Sequence, residues 1–460
     1  MTSPIDVFAR AVLADTGESE LISNEGTAAF KIGGKPPALI ARPLSHEAAA
    51  RVLARANEAG LAVVPWGGGT GRRMGYPPAR YDVVLSTGGL SETVDFLRDD
   101  LTVVVGAGMT ISALNRLTEP NGQTAGFDPP YPDQATVGGT IIAERSGPMR
   151  VRYGRARDRV MRMRIVLADG STQTYGALVV KNVTGYDMNR LLAGSWGTLA
   201  VVTELAVRLF KKPDQVGAIA GGFSSAEAVF SAGRQLSATP LSPVWMEVVG
   251  TGRINELGEL DEVPGLPFPW CLVAAYGDFE EGLDQMLAQA EEIVQKSGGA
   301  DLRRFGKEET ERLGQVLADP PGGPFSGADG LEFRASARLD QLPRMAAAAE
   351  DAARVGGYQL AVAAHAANGV LRCWLAPVGD SPSPAAAWDT FREGCRKGAS
   401  PQKGRAVHLS LSGAPDSLRT DTEVWGEDVL PPATIDLMRR LKAEYDPMGT
   451  LSPGRFVARI

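Results

Sequence analysis

Two glycine-rich segments about seventy residues apart constrain this chain more than any other feature. The first is Pro65–Gly71, with the sequence PWGGGTG, and it follows the apolar run Leu61–Val64, which predicts a strand. The second is Pro132–Thr140, with the sequence PDQATVGGT. Glycine has no Cβ, so its backbone can approach a ligand closely and direct N–H groups at phosphate. Two such segments suit a dinucleotide with a central pyrophosphate.

The spacing of the glycines excludes the commonest nucleotide-binding motifs. Gly67 and Gly69 begin a G-x-G, but Arg72 stands where the third glycine of a Rossmann fingerprint belongs. Pro77 and Pro78 then prevent the helix that should follow. The phosphate-loop pattern G-x-x-x-x-G-K-[ST] occurs nowhere in the sequence.

Further motifs occur in the order in which one known family carries them. They are Tyr153–Val160 (YGRARDRV), Val166–Gly170 (VLADG), Leu192–Glu204 (LAGSWGTLAVVTE) and Tyr445–Arg455 (YDPMGTLSPGR). With the glycine segments, they resemble the FAD-binding domain of the PCMH type, also called the vanillyl-alcohol-oxidase type. The segment Val180–Asp187 (VKNVTGYD) resembles the FAD-binding E subunit of glycolate oxidase.

The resemblance implies an α+β fold, with a two-part PCMH-type FAD-binding domain and a ferredoxin-like antiparallel sheet cap domain. We expect the FAD-binding domain at 1–213, the cap domain at 214–411, and a C-terminal helix and turn at 412–460 that return to the FAD domain. Beyond Pro213 the sequence itself alternates strand and helix patterns, and their order repeats after residue 330. Strands interleaved with helices favour an antiparallel sheet covered on one face.

The resemblance also implies which residues bind the cofactor. In the two glycine segments they are Pro65, Gly67, Gly68, Gly69, Thr70, Gly71, Pro132, Asp133, Thr136, Val137, Gly138 and Gly139. Elsewhere they are Gly154, Asp158, Gly197, Val202 and Arg455. Each glycine cluster, taken alone, could equally be a tight turn. Arg72, Arg73 and Arg145 could pair with phosphate or be solvated surface residues.

The expected cofactor is FAD held without a covalent bond. Relatives with a histidyl flavin carry histidine in or near the first loop, where this chain has Thr70 and Gly71. The cysteines are Cys271, Cys373 and Cys395, none of them near residues 120–160 and none in a C-x-x-C pair. We expect them to be packed thiols rather than ligands of an iron–sulfur cluster or zinc.

Catalytic residues cannot be assigned from the sequence, although His365 and Arg372 are weak candidates. Dehydrogenases of D-2-hydroxy acids carry a metal-binding H-x-G-D-G-N-x-H segment, and the similar stretch here is His365–Arg372 (HAANGVLR). Asn368 replaces the acidic residue and Arg372 the second histidine. The whole chain has 3 histidines, so we expect no metal site. A histidine in an apolar strand is also commonly a hydrogen-bonded core residue.

Composition limits the class of function. A net charge of −7 offers no basic field for nucleic acid. The sequence has no apolar run of about 18 residues, which a transmembrane helix needs. The first residues lack the apolar core of a signal peptide. We therefore expect a cytoplasmic protein, or one held at a membrane through its partners.

The sequence predicts an FAD-binding subunit of a glycolate oxidase or dehydrogenase complex that oxidises glycolate or D-lactate, with an accessory or electron-transfer role. The resemblance implies a flavin-bearing D-type partner and an iron–sulfur F-type partner. Two alternatives stay open: a self-sufficient FAD-dependent dehydrogenase of a 2-hydroxy acid or alcohol, and a non-catalytic assembly subunit that retains structural FAD. Substrate, electron acceptor and stoichiometry cannot be predicted from the sequence.

Overall fold

The computed structural model describes residues 3–16, 20–22, 26–179, 185–250, 252–254, 268–379, 382–397 and 406–460. The chain divides into two compact units. The first comprises Met1–Ser146, Arg155–Lys212 and Leu430–Ile460, and the second comprises Gly147–Gly154 and Pro213–Val429.

The second unit differs from the predicted cap domain 214–411 in two ways: it extends to Val429, and it includes the separate segment Gly147–Gly154. Residues 412–429, grouped with the C-terminal helix on sequence grounds, lie in the second unit. Leu411 N donates to Val424 O at 2.9 Å, and Trp388 Nε1 donates to Glu423 O at 3.2 Å. These bonds tie the polar connector to the strand His408–Gly413 that precedes it and to the helix Pro384–Arg396. Gly147–Gly154 also belongs to the second unit.

One sheet of the first unit carries the strand that leads into the first glycine loop. Its strands are ordered Glu20–Ile22, Leu39–Arg42, Val83–Ser86 and Val63–Trp66, with the first pair antiparallel and the others parallel. The helices Pro4–Thr16 and His46–Glu58 supply apolar side chains to the same core. Ser45 Oγ accepts from Ala48 N at 3.1 Å and so caps the helix His46–Glu58.

The other large sheet of the first unit is antiparallel. Its order is Thr93–Leu97, Thr102–Gly106, Val201–Arg208, Val160–Val166 and Thr172–Gly176. Around it lie the helices Ile111–Thr118, Val137–Ile142 and Met188–Leu192, and the short strands Gln123–Thr124 and Phe210–Lys211 pair with each other. The two sheets make this unit a two-part α+β domain.

The C-terminal segment of the first unit adds to the strand before the first glycine loop. After the helix Pro432–Tyr445, Val63 N donates to Thr450 O at 2.7 Å and Ser452 N to Val63 O at 2.9 Å. Buried Asp446 holds this turn, because its carboxylate accepts from Thr450 N (2.8 Å), Leu451 N (2.7 Å) and Lys442 Nζ (2.5 Å). The carboxylate thereby fixes the last residues of the chain against an early strand.

The second unit is built on one antiparallel sheet. Its strand order is Ala300–Phe305, Gln215–Phe223, Trp270–Asp278, Trp245–Gly250, Tyr358–His365, Val370–Pro377, Leu331–Ser336 and His408–Gly413. Its described helices of more than one turn are Ala226–Ser237, Glu280–Lys296, Lys307–Ala318, Leu342–Gly356, Pro384–Arg396 and Asp416–Asp421. The short helix Arg150–Tyr153 belongs to the same unit.

This sheet consists of two similar halves. Strands 215–305 follow the order strand, helix, strand, strand, helix, strand, and so do strands 331–413. In each half the first and third strands are central, which is the ferredoxin-like arrangement. The predicted antiparallel cap sheet is therefore confirmed as a pair of ferredoxin-like halves. They join where Trp245–Gly250 pairs with Tyr358–His365.

Candidate functional site

The two glycine segments meet at one cleft within the first unit. Gly67–Gly71 follow the strand Val63–Trp66, and Thr136, Gly138 and Gly139 belong to the second segment. All of them line this cleft. The sequence pattern is thus realised as one binding cleft.

Close packing explains why the first loop is made of glycine. A Cβ on Gly68 would lie 1.7 Å from Gln134 O, and one on Gly67 would lie 2.3 Å from Thr136 Oγ1. The two loops therefore touch each other through these residues, with no room for a side chain. Gly69 has φ +71°, and a Cβ there would lie 2.4 Å from the Trp66 ring.

The second loop leads into the short helix Val137–Ile142. Thr136 Oγ1 accepts from Gly139 N at 3.1 Å and so caps the helix, which leaves its hydroxyl proton able to donate to a ligand. A Cβ on Gly138 would lie 2.7 Å from Ala107 Cβ, and Gly138 N donates to Ala107 O at 2.9 Å. Gly138 is required by this packing as well as by its place on the cleft.

A tryptophan in an unusual backbone conformation forms part of the cleft. Trp196 has φ +57°, a region that bulky residues rarely occupy and that is commonly found at functional sites. Its backbone N–H donates to Ile142 O at 3.1 Å, which fixes this turn to the end of the helix Val137–Ile142. A Cβ on Gly71 would lie 3.1 Å from its ring. The indole thus covers the end of the first glycine loop.

Arg455 reaches the cleft from the C-terminal segment. The residue is buried, and its Nη2 donates to Met74 O at 3.2 Å and to Gly71 O at 3.5 Å. These carbonyls belong to the last glycine of the first loop and to a residue shortly after it. Arg455 therefore fixes the shape of the first loop from the side of the C-terminus.

Most of the predicted cofactor residues line the cleft. They are Pro65, Gly67, Gly68, Gly69, Thr70, Gly71, Thr136, Gly138, Gly139, Gly197, Val202 and Arg455. Others lie elsewhere: Val137 is in the apolar core, and Gly154 belongs to the second unit. Asp158 accepts from Arg155 N at 3.2 Å and pairs with Arg190. Pro132 O accepts from Ser112 N at 3.0 Å, and Asp133 is exposed.

Sequence reasoning missed several residues that line the same cleft. They include Trp66, Thr87, Pro129, Pro130 and Thr140, with Arg72 and Arg145 considered only as open alternatives. Trp196 lies inside the motif Leu192–Glu204, whose turn was expected to line the cofactor pocket, and it does line the cleft. Residues 180–184 of the motif Val180–Asp187 lie outside the described residues.

The residues present fit a phosphate-bearing cofactor. Thr140 is 2% exposed, lines the cleft, and its Oγ1 has no protein hydrogen-bond partner. A buried hydroxyl without a partner is costly, so a ligand in the cleft would satisfy it. Aromatic and apolar side chains form the walls, and hydroxyls and glycine amides form the polar part. Neither histidine nor cysteine is among the described residues of this lining.

Comparison with known proteins identifies the cofactor. A family model for an FAD binding domain matches residues 37–176, and one for the C-terminal domain of FAD linked oxidases matches residues 419–456. The first match includes both glycine loops, and the second ends with the motif of Arg455. Both matches fall on segments whose motifs resemble the FAD-binding domain of the PCMH type. The chain is an FAD-dependent oxidoreductase, and the recognition and cofactor predicted from the motifs are confirmed.

Individual relatives are similar over nearly their whole length. The D-lactate dehydrogenase of Archaeoglobus fulgidus is 28% identical, with 92% of each chain covered. The glycolate oxidase subunit GlcD of Bacillus subtilis is 24% identical, with 95% of this chain and 93% of the relative covered. The solved structure of p-cresol methylhydroxylase with substrate bound has a TM-score of 0.74 at 16% identity, covering 99% of this chain and 97% of the other. At 16% identity, the similarity to this last structure shows a shared fold only.

The weak catalytic candidates His365 and Arg372 lie in the second unit, where the two halves of its sheet join. The His365 ring is hydrogen-bonded through Nδ1 to the Glu247 carboxylate, and Arg372 Nη2 lies 3.3 Å from the other carboxylate oxygen. Arg372 also donates to Leu317 O at 2.9 Å and Ala318 O at 3.3 Å. These carbonyls end the helix Lys307–Ala318, where a cation is favourable. All the side chains of this Glu247–His365–Arg372 network are buried.

The remaining histidines and the cysteines have ordinary surroundings. His46 Nδ1 lies 2.7 Å from Thr203 Oγ1, and His408 is exposed on an edge strand. The three cysteines are free and buried, as predicted, and burial raises the pKa of Cys271 and of Cys395 to about 12. The described residues contain no cluster of histidine, cysteine and acidic side chains that could hold a metal. No helix in the described ranges is long and apolar enough to cross a membrane.

Proposed function

We propose that this chain is the FAD-binding subunit of a glycolate oxidase- or dehydrogenase-type complex that oxidises glycolate or D-lactate. Its own part is to hold FAD and pass electrons, and a flavin-bearing D-type partner carries out the dehydrogenation. An iron–sulfur F-type partner then accepts the electrons. The similarity to D-lactate dehydrogenase and to a glycolate oxidase subunit supports the substrate class.

The Glu247–His365–Arg372 network carries the accessory role within this proposal. Oxidation of a 2-hydroxy acid needs a base for the hydroxyl proton and a cation for the carboxylate. His365 is 3% exposed and engaged by Glu247, while Arg372 is 6% exposed and engaged by Glu247 and two helix carbonyls. Both side chains are therefore used inside the sheet of the second unit rather than offered to a substrate.

The cleft of the first unit has a simpler task. Bound FAD would supply hydride and electron acceptance at its isoalloxazine ring. The chain holds the cofactor through the glycine loops, Thr136 and Thr140, and keeps the first loop in shape through Arg455. Aromatic and proline side chains would exclude water from one side of the cofactor.

Anaerobic mixing of the isolated chain with glycolate or D-lactate tests the proposal. We expect the flavin absorbance near 450 nm, a general property of flavins, to bleach slowly or not at all. Added Zn²⁺ or Mn²⁺ should not accelerate it. Chemical reduction with dithionite should bleach the same sample, which verifies that its FAD is redox-active.

A self-sufficient FAD-dependent dehydrogenase is the second candidate, favoured by the full-length similarity to an archaeal D-lactate dehydrogenase. Rapid bleaching of the isolated chain by either acid, lost in His365→Asn, would support that candidate against the accessory role. The third candidate is an assembly subunit with structural FAD. Purification from the native host would support it if the complex retained full activity after the FAD of this chain alone had been removed.

A further inference from the structure

We propose that Arg145 is the cation that binds the pyrophosphate of FAD in the cleft of the first unit. The proposal concerns the cofactor, so its failure would leave the proposed substrate and partners untouched. The cation matters because the glycine amides and threonine hydroxyls around the cleft are neutral. They can donate hydrogen bonds to phosphate, but they cannot neutralise its charge.

The position of Arg145 is fixed by the second glycine loop. Its backbone N–H donates to Thr140 O at 2.9 Å, so the chain turns back immediately after the helix Val137–Ile142. Arg145, Thr140 and the first glycine loop line the same cleft. Thr140 Oγ1 is buried without a protein partner, and the Arg145 side chain is half-buried. This stretch of the cleft lining therefore offers a ligand both a neutral hydroxyl donor and a cation.

Arg145 is paired differently from its neighbours. Arg162 lies 2.9 Å from the Glu204 carboxylate and Arg157 lies 3.8 Å from that of Glu144. The side-chain partner of Arg145 is instead the Met74 thioether, with Nη1 2.7 Å from Sδ. No carboxylate of the described residues pairs with it. A thioether is a weak acceptor, so a phosphate entering the cleft would be the stronger partner.

The chemistry of the side chain matches that ligand. A guanidinium presents a planar set of donors that fits two phosphate oxygens, and such charge-assisted hydrogen bonds are stronger than neutral ones. The apolar walls of the cleft reduce screening of the charge. Arg455 lines the cleft too, but it donates to the carbonyls of Gly71 and Met74. Arg72 follows the first glycine loop and lines the cleft as well. Arg145 is the cleft-lining arginine whose side chain is held by a thioether, so it is available to a ligand rather than committed to the loop.

The test compares FAD, ADP and riboflavin as ligands of the deflavinated chain carrying Arg145→Gln. FAD and ADP contain the pyrophosphate, and riboflavin contains the ring without it. We expect the dissociation constants of FAD and ADP to rise about 10- to 100-fold, the usual effect of losing a hydrogen bond to a charged group. The dissociation constant of riboflavin should stay within about twofold of wild type. FAD binding should also become less sensitive to salt.

Matched variants separate charge from packing. Arg145→Lys retains the cation and should recover part of the affinity for FAD and ADP. Arg116→Gln removes the same charge from an exposed position of the helix Ile111–Thr118 and should change none of the dissociation constants. Met74→Leu removes the thioether and should leave FAD binding within about threefold, since leucine conserves the volume.

Several outcomes would overturn the proposal. One is unchanged FAD and ADP binding in Arg145→Gln, and another is an equal loss for riboflavin, which would assign Arg145 to the ring or to the fold. If Arg145→Gln does not fold, Arg145→Lys and Met74→Leu decide: equal weakening of FAD binding in both would mean packing.

Discussion

At the scale of single residues, the glycines of the cleft are fixed by different neighbours. Gly67 and Gly68 are fixed by the second loop, Gly69 by Trp66 and its positive φ, and Gly138 by Ala107. Gly139 differs, because a Cβ there would meet only the Thr136 hydroxyl at 2.9 Å. The adjacent glycines Gly138 and Gly139 thus have different roles: Gly138 is required by the packing of the fold, and Gly139 by the ligand.

Substitutions at Gly138 and Gly139 should therefore have different effects. Gly138→Ala should lower the free energy of unfolding by about 1–3 kcal/mol, the usual cost of overpacking, because its methyl would meet backbone and Cβ of Ala107. Gly139→Ala should cost less stability than Gly138→Ala, because only the Thr136 hydroxyl has to move, but it should lose FAD because Gly139 lines the cleft. Thermal unfolding and the FAD content of the purified variants measure the two effects. Equal losses of stability in both variants would contradict this division.

The sequence predicted the glycine loops well because their residue types carry the information. Nothing in a periodic pattern marks the positive φ of Trp196 or the bond from its backbone N–H to Ile142 O. Arg145 could not be separated from surface arginines, because pairing with Met74 is visible only in three dimensions. Pro132, Asp133, Val137, Gly154 and Asp158 were carried over with their motifs, although they lie outside the cleft lining.

At the scale of elements, the apolar run Leu61–Val64 predicted a strand, and the structure has one at Val63–Trp66. The exposed edge strand Thr93–Leu97 was not predicted. In the second unit the repeated order of elements was visible in the sequence. The junction of the two halves was not, because Glu247 and His365 are far apart in the chain and meet only through strand pairing.

The buried network at that junction predicts a dependence of stability on pH. Burial lowers the pKa of His365 below its usual 6.5, with Arg372 acting in the same direction and Glu247 against it. The unfolded chain then binds a proton that the folded chain does not, so this contribution to stability is complete above about pH 6.5 and is lost as the pH falls towards the folded pKa. A single histidine contributes at most about 1.4 kcal/mol per pH unit.

Hydrogen exchange of the strands Trp245–Gly250 and Tyr358–His365 between pH 7 and pH 5 measures this effect locally. In the wild type we expect the opening free energy of these strands to decrease as the pH is lowered from 7 to 5. In His365→Gln it should decrease less steeply. The control is His408→Gln, which alters an exposed histidine of the same sheet and should retain the slope of the wild type. The same slope in all three proteins would mean that His365 is not responsible.

At the scale of the whole molecule, the chain leaves the first unit after Lys212 and re-enters it at Leu430. The family matches follow this course, one at residues 37–176 and the other at 419–456. The FAD-binding domain was predictable because its motifs lie in turns with strict backbone requirements. The connector 412–429 was misplaced because its bonds to the second unit leave no pattern in a polar sequence.

The FAD of the intact protein should be released by denaturation. The described lining of the cleft has no histidine or cysteine, and Thr70 and Gly71 occupy the place of a family linkage. Acid or heat should therefore leave colourless protein and free FAD in solution, at about one FAD per chain for a single cleft. Chromatography of the supernatant identifies the flavin. Flavin that remains on washed, denatured protein would show a covalent bond.

The pairing of Val63 with Leu451 has a consequence for biosynthesis. The strand that leads into the first glycine loop emerges from the ribosome well before its neighbour Leu451, because the whole second unit is translated between them. Contacts between such distant residues form late, because closing a long loop costs conformational entropy. The cofactor cleft, which includes Arg455, is therefore complete only after that residue has been translated. We expect a nascent chain to bind flavin only once the segment around Arg455 has joined the first glycine loop.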